Sequence, residues 1–455
     1  MVRSQRFFFW CLSFIVLMAP LPLGSNRPLG WSLLALATGL LLATWAIHHL
    51  WTGAALQVGV ERVRVPLVFF TIACAWALIQ LVPGLPFGLA HPAWQEVSIF
   101  FGESVPGRIT VDPDWSVTVL MRWLTYAAVF WLALQFGRNR ENANLALRLV
   151  AAGGAAYALY GLLAHLTGSE TILFYQKWAY HNVLTSTFVN RNSYATYAGM
   201  GLIVSVLLLL RSFRNSPNDN AILRERISTS LNGDLAERLI LGIAVFLLIS
   251  ALFLTASRAG ALSSLAALLV LVVLLNTGLK KSRWHLIFPM VSLAVAMVGA
   301  YVLSSDRLLE RLVGVTLETR QATYIQTIEA IRDHLLWGSG LGSFAQIFPL
   351  YRESEMSQTT VWTKAHNTYL ENALELGLMA ALALYCAVAG LFWRCWRGLR
   401  TRTRDRHFAA GGIAISVLVA LHSLVDFSLQ IPAVTVTYMY LMGIAVAQSF
   451  SSRTR

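Results

Sequence analysis

The chain has 455 residues, of which 56% are hydrophobic and only 13% charged. An ordinary soluble domain carries about a quarter charged residues, and its core cannot hide so much apolar surface. This excludes a soluble globular class and points to lipid as the solvent. The formal net charge of +13 does not indicate nucleic acid, because no basic stripe with interleaved aromatics occurs.

A membrane span needs about 20 mostly apolar residues. In chain order, the sequence predicts spans at 7–24, 29–50, 66–84, 117–136, 149–168, 191–210, 239–256, 259–276, 286–303, 368–392, 409–425 and 432–449. Arg3 and Arg6 before Phe7 to Met18, with small residues near Pro20 to Ser25, also resemble a secretory signal. The many later apolar runs favour an uncleaved first span over a cleaved signal. The expected fold is an all-α polytopic membrane protein with about twelve transmembrane helices. Its expected division is 1–303 for spans one to nine, 304–367 for a helical periplasmic loop, and 368–455 for the last three spans and a cytoplasmic tail.

Most Lys and Arg fall in alternate connections. They run from Arg3 and Arg6 through Arg62, Arg64, Arg138, Arg140, Arg211, Arg224, Arg226, Lys280, Lys281 and Arg283 to Arg394–Arg406, Arg453 and Arg455. That alternation predicts cytoplasmic termini. Three connections on the other side are long: 85–116, 169–190 and 304–367. In the last, Ile325, Ile328, Ile331 and Leu335 recur at helical steps, a face expected to pack on the membrane domain or lie in its interface. The cysteines, Cys11, Cys74, Cys386 and Cys395, lack metal or redox spacing and read as small hydrophobes.

Polar residues gather at the outer ends of spans. Arg258 stands at the junction Thr255-Ala256-Ser257-Arg258-Ala259-Gly260, where one span meets the next. It suits either headgroup snorkelling or an anion site, since guanidinium binds phosphate oxygens bidentately. Arg191 lies at the start of the sixth span, with Asn192 or Ser193 as the expected helix cap, and has the same two readings. Arg320 and Arg332 lie in the long loop. Gly338, Gly340 and Gly342 allow a tight backbone path, but no strand precedes them, so a nucleotide fingerprint is not expected.

His366 precedes Thr368 and Glu371, whose spacing is that of a capping box. The histidine is either a structural interfacial group or a base suited to a hydroxyl proton near neutral pH. Glu371 and Glu375 could each orient it or replace it. Asp426, with His422 one turn before it, could pair with an arginine across the mouth or hold a structural ion pair. No HExxH, CxxC, Walker A or Asp-rich motif appears, so no metal and no cofactor are expected.

With Ser-Arg-Ala-Gly at Arg258, the long late loop, Arg320 with Tyr324, Arg332 with Leu336, and His366 followed by Gly377, the chain resembles the O-antigen ligase and O-antigen polymerase superfamily. The resemblance runs from about the sixth span to the C-terminus. It implies a GT-C-like membrane glycosyltransferase of the bacterial inner membrane that works without metal on the periplasmic face. The implied donor is an undecaprenyl-diphosphate-linked glycan. The acceptor is another glycan for a polymerase or lipid A-core for a ligase, and Asn190-Arg191-Asn192 with Asp426-Phe427-Ser428 lean toward polymerase. Arg258 and His366 would be catalytic. Arg320 or Arg332 would hold the diphosphate with Arg258, and Arg191, Glu371 and Asp426 would complete the substrate site. Membrane lipids and other polysaccharide-assembly proteins are the remaining partners; nucleic acid is not. The rival readings are a flippase for lipid-linked glycans, which should show polar or broken helices at the midplane, and a non-catalytic assembly subunit.

Overall fold

Long apolar runs in a medium without water must satisfy their backbone groups internally, and helices do so. The computed structural model describes residues 3–86, 88–214, 235–276, 317–353 and 362–451. Fifteen α-helices occur among them: α1 (Arg3–Met18), α2 (Pro28–Thr52), α3 (Arg64–Gln80), α4 (Ala93–Phe101), α5 (Pro113–Phe136), α6 (Arg140–Leu166), α7 (Arg191–Arg214), α8 (Leu235–Leu254), α9 (Arg258–Asn276), α10 (Leu317–Asp333), α11 (Phe344–Tyr351), α12 (Thr368–Leu376), α13 (Leu378–Thr401), α14 (Arg406–Ser423) and α15 (Pro432–Gln448). The only strand pairing among the described residues joins Thr171–Ile172 to Tyr175–Gln176.

The chain is an all-α polytopic membrane protein. Nine helices among the described residues are long and apolar enough to cross a membrane, and α1 and α15 are shorter apolar helices. The predicted span 286–303 lies outside the described residues, as do 304–316 and the basic residues Arg224, Arg226, Lys280, Lys281, Arg283, Arg453 and Arg455.

Helices α7, α14 and α15 form the centre, and α2, α3 and α8 are exposed along much of their length. The largest helix contact is that of α15 with α5, followed by α9 with α14 and α13 with α3. Without a hydrophobic force between helices in lipid, small residues permit this closeness. At Gly443 of α15 an added Cβ would stand 2.6 Å from the Phe130 carbonyl oxygen of α5. Polar bonds also cross the bundle: Ser13 Oγ lies 2.7 Å from Tyr440 OH, and Ser416 Oγ 3.1 Å from Tyr438 OH.

The tenth predicted span, 368–392, is two helices broken at Gly377. Gly377 has φ +75°, and a Cβ there would lie 2.3 Å from the Leu336 carbonyl oxygen. The glycine loop docks into this break. Leu378 N donates to Leu335 O at 2.8 Å, Ser339 N to Leu374 O at 2.9 Å, and Gly340 N to Glu375 O at 2.9 Å. Gly338 and Gly340 thus serve close backbone packing, and Gly342 makes room for the Trp115 and Val119 side chains. On α10, Thr323, Gln326, Thr327, Ala330 and Ile331 are buried, while Ile325 and Ile328 are exposed. Of the expected face, Ile331 packs on the protein whereas Ile325, Ile328 and Leu335 do not, and the packed side is made mostly of small and polar residues. Cys395, three residues past the expected span 368–392, is buried within α13.

Candidate functional site

At the end of the bundle where α5, α7, α9, α13 and α15 begin lies a cleft of about 1430 Å³. Its described lining includes the cations Arg27, Arg122, Arg191, Arg320 and Lys364, together with His165, His181 and His366. No Asp or Glu is among those lining residues. Such a wall attracts anions.

Arg191 is placed by the start of α7. The cap is Asn190, not Asn192 or Ser193: Asn190 Oδ1 accepts from Asn192 N at 2.7 Å and from Ser193 N at 3.4 Å. The cap sits two or three residues earlier because Asn190 has the freedom of the preceding loop, whereas Asn192 already lies in the first turn. Arg191 is largely buried, with its guanidinium carbon 5.7 Å from the Tyr180 ring centroid. Burial pushes the Tyr180 hydroxyl up, Asp426 adds to this, and Arg191 and Arg320 oppose it. Tyr180, Arg191 and Arg320 all line the cleft.

His366 sits just before α12 with φ +53°, a left-handed conformation uncommon outside glycine. Contacts on several sides hold it, Trp362 among them with its ring centroid 5.6 Å away. Tyr324 OH donates to the His366 carbonyl at 2.9 Å, the ring meets Phe427 edge-on at 5.0 Å between centroids, and Nδ1 lies 3.8 Å from Asp426 Oδ2. That last distance is an ion-pair contact, longer than a hydrogen bond. The helix cap is Asn367, whose Oδ1 accepts from Tyr369 N at 3.0 Å and Leu370 N at 3.1 Å. Thr368 instead donates to the Asp426 carbonyl at 3.0 Å. Glu371 does not close a capping box. Its fully buried carboxylate accepts from Lys364 Nζ and from Ala365 N, each at 3.0 Å. It thereby fixes the segment that carries His366.

Asp426 is buried behind His366. Its Oδ1 accepts from Phe427 N at 2.7 Å and its Oδ2 from Asn192 Nδ2. Burial pushes this carboxyl up, but His366, His422 and the Phe427 amide together outweigh it and hold the group below its ordinary value. His422 bonds to Thr196 Oγ1 through Nδ1, with Ser428 Oγ at 3.4 Å. A polar cluster from α7, α14 and the 424–428 turn thus backs the histidine.

The other expected site residues fall differently. Ala256 lines the cleft, but Arg258, at the first position of α9 and capped by Ser257, does not. Arg332 is exposed. It lies twelve residues along α10 from Arg320, or about 18 Å, so only Arg320 of the two loop arginines reaches the cleft. Glu375 is buried against the glycine loop, where its Oε1 accepts from Phe344 N at 3.3 Å. Sequence reasoning missed Arg122 and Lys364. Arg122 carried a readable signal, an arginine inside an apolar run, whereas Lys364 had none. Among the described residues no group of three or more His, Cys, Asp and Glu side chains is arranged to hold a metal ion.

No match to the chain was found among curated proteins. Residues 243–385 match a family model described as O-antigen ligase. The match runs from within α8 to within α13 and contains Arg258, Arg320, Arg332, His366 and Glu371. It ties the chain to O-antigen and glycan assembly and to glycosyltransferase-like enzymes. Residues 243–385 of this multi-pass membrane protein are thus similar to the O-antigen ligase family.

Proposed function

We propose that the chain transfers a glycan from undecaprenyl diphosphate to an acceptor hydroxyl at the periplasmic face of the bacterial inner membrane, without a metal, and as a polymerase in preference to a ligase. One observation carries this reading: a cleft with cations and no carboxylate among its described lining residues, with His366 on its wall. Arg320 and Arg191 hold the diphosphate, and Arg258, two residues from the wall at Ala256, adds charge at the α9 N-terminus. His366 Nδ1 faces Asp426, which leaves Nε2 for the acceptor. The acceptor oxygen bonds to the anomeric carbon as the bond from that carbon to the diphosphate oxygen breaks. The hydroxyl proton passes to Nε2, and undecaprenyl diphosphate leaves with both electrons of the broken bond. Guanidinium groups then stabilise charge that grows in the transition state. The 3.8 Å between His366 and Asp426 is a loose contact of the kind that tightens when substrate is bound.

The test is a transfer assay in liposomes with a native lipid-linked glycan extract, read as a glycan ladder. Wild type should build a ladder with chelator present. His366→Ala, Asp426→Asn and Arg320→Ala should each lower the rate roughly 100-fold or more while folding normally. Arg332→Ala should behave as wild type. A wild type that makes no product, or a His366→Ala variant of full activity, would sink the reading.

A further inference from the structure

Arg122 has no role in the transfer just described, yet it is the most unusual cation in the cleft. It lies nine residues past the start of α5, or about 13 Å along the helix axis. It is 7% exposed. Its guanidinium carbon stands 3.8 Å from the Trp31 ring centroid and 4.9 Å from that of Trp115. The two indoles meet edge-on at 5.5 Å. Nε and Nη2 have no hydrogen-bond partner, and no ion pair of the described residues involves this arginine. Arginines within spans normally pair with a carboxylate or with backbone carbonyls. The aromatic stack instead holds the guanidinium plane and leaves its N–H fork unused. Arg122, Trp31 and Trp115 all line the cleft.

We propose that Arg122, stacked on Trp31 and Trp115, anchors a second anion subsite, which takes the phosphate group of a second lipid-linked substrate. The proposal rests on the transfer reading above, which requires donor and acceptor together. The two cation sets come from different elements: Arg191 and Arg320 from α7 and α10, Arg122 from α5 against Trp31 of α2. A cleft of about 1430 Å³ exceeds the roughly 300–1,000 Å³ that holds one drug-sized ligand. A lipid-borne phosphate is favoured over a free one because Arg122 lies well inside an apolar helix, where a ligand anchored by its own hydrocarbon chain is concentrated.

The experiment is native mass spectrometry of the full chain titrated with undecaprenyl diphosphate. Wild type should bind two equivalents. Arg122→Met and Arg320→Gln should each bind one, and the double variant none. If Arg122→Met fails to fold, Arg122→Lys, which keeps the charge but loses the fork, should weaken the second equivalent tenfold or more. One equivalent that depends on Arg122 alone would leave this subsite standing and remove the donor assignment. One equivalent that depends on Arg320 alone would overturn the subsite and leave the transfer reading intact. No binding overturns both. The proposal also falls if Arg122→Met or Arg122→Lys binds as wild type does. It falls equally if inorganic diphosphate or phosphatidylglycerol displaces the Arg122-dependent equivalent as well as undecaprenyl diphosphate itself.

Discussion

Glu375 shows how burial changes the chemistry of a side chain that sequence alone would make a candidate base. Burial drives its carboxyl above the ordinary carboxylate range, and the neighbouring Glu371 pushes the same way; Lys364 and the amides of Gly342 and Phe344 only partly offset them. A carboxyl raised by folding favours the folded state while it is protonated. That contribution is complete below the ordinary carboxylate pKa and is lost as pH rises through the folded value. The Glu375 contribution to wild-type stability should therefore fall from acidic to alkaline pH. In Glu375→Gln a neutral amide still accepts from Phe344 N, and this part of the slope disappears. Thermal unfolding in detergent should show the variant gaining on wild type between about pH 5 and about pH 9; a gap that stays constant with pH would refute the assignment. Asp426 behaves in the opposite sense. Its carboxyl is held low, so it stays ionised at neutral pH as a partner for His366.

At the scale of elements, most helices were readable because an apolar run has one solution in lipid. Arg258 was expected at a span junction, and α8 does end at Leu254 just before α9 begins there. The misread break in the tenth span comes from backbone docking from far along the chain. Nothing near Gly377 announces that Leu336 approaches it, yet that contact breaks the expected span 368–392. The caps were off by one to three residues because Asn190 and Asn367 compete with equally plausible neighbours. Arg320 and Arg332 could not be separated by pattern, since only the direction of α10 brings one to the cleft and carries the other away. The break makes a firm prediction. Gly377 combines φ +75° and ψ 161° with a carbonyl where a Cβ would stand. Gly377→Ala should cost about 1–3 kcal/mol from the backbone conformation alone. Because the same loop abuts Glu375 and the cleft at Gly342, transfer activity should fall with the melting temperature. A variant as stable as wild type would show that the break has another cause.

The whole molecule is polarised. The cleft and its histidine lie at one end. At the other, Arg140 pairs with Asp405 at 2.9 Å, Arg148 with Glu237 at 2.8 Å, and Arg138 and Arg402 donate to carbonyls of the C-terminal segment near Phe450. Both ends are basic, so net charge does not distinguish them; what differs is the use of the charge. At the far end, these arginines bind carboxylates and main-chain carbonyls in short connections. At the cleft, the lining arginines face no carboxylate among the described lining residues. Arginine-rich short loops stay in the cytoplasm, so the cleft should open on the opposite, periplasmic side, where the lipid-linked donor of the proposed reaction would meet it. Phe174, 98% exposed in the turn beside the cleft end, and Arg404, in the far-end connection, give two reporters. In a variant lacking Cys11, Cys74, Cys386 and Cys395, Phe174→Cys should react with an impermeant maleimide in cells whose inner membrane is intact. Arg404→Cys should react only after that membrane is opened. The reverse pattern would place the cleft in the cytoplasm and leave the proposed reaction without its substrate. Equal labelling of both in intact cells would remove the inference that the arginines set the orientation.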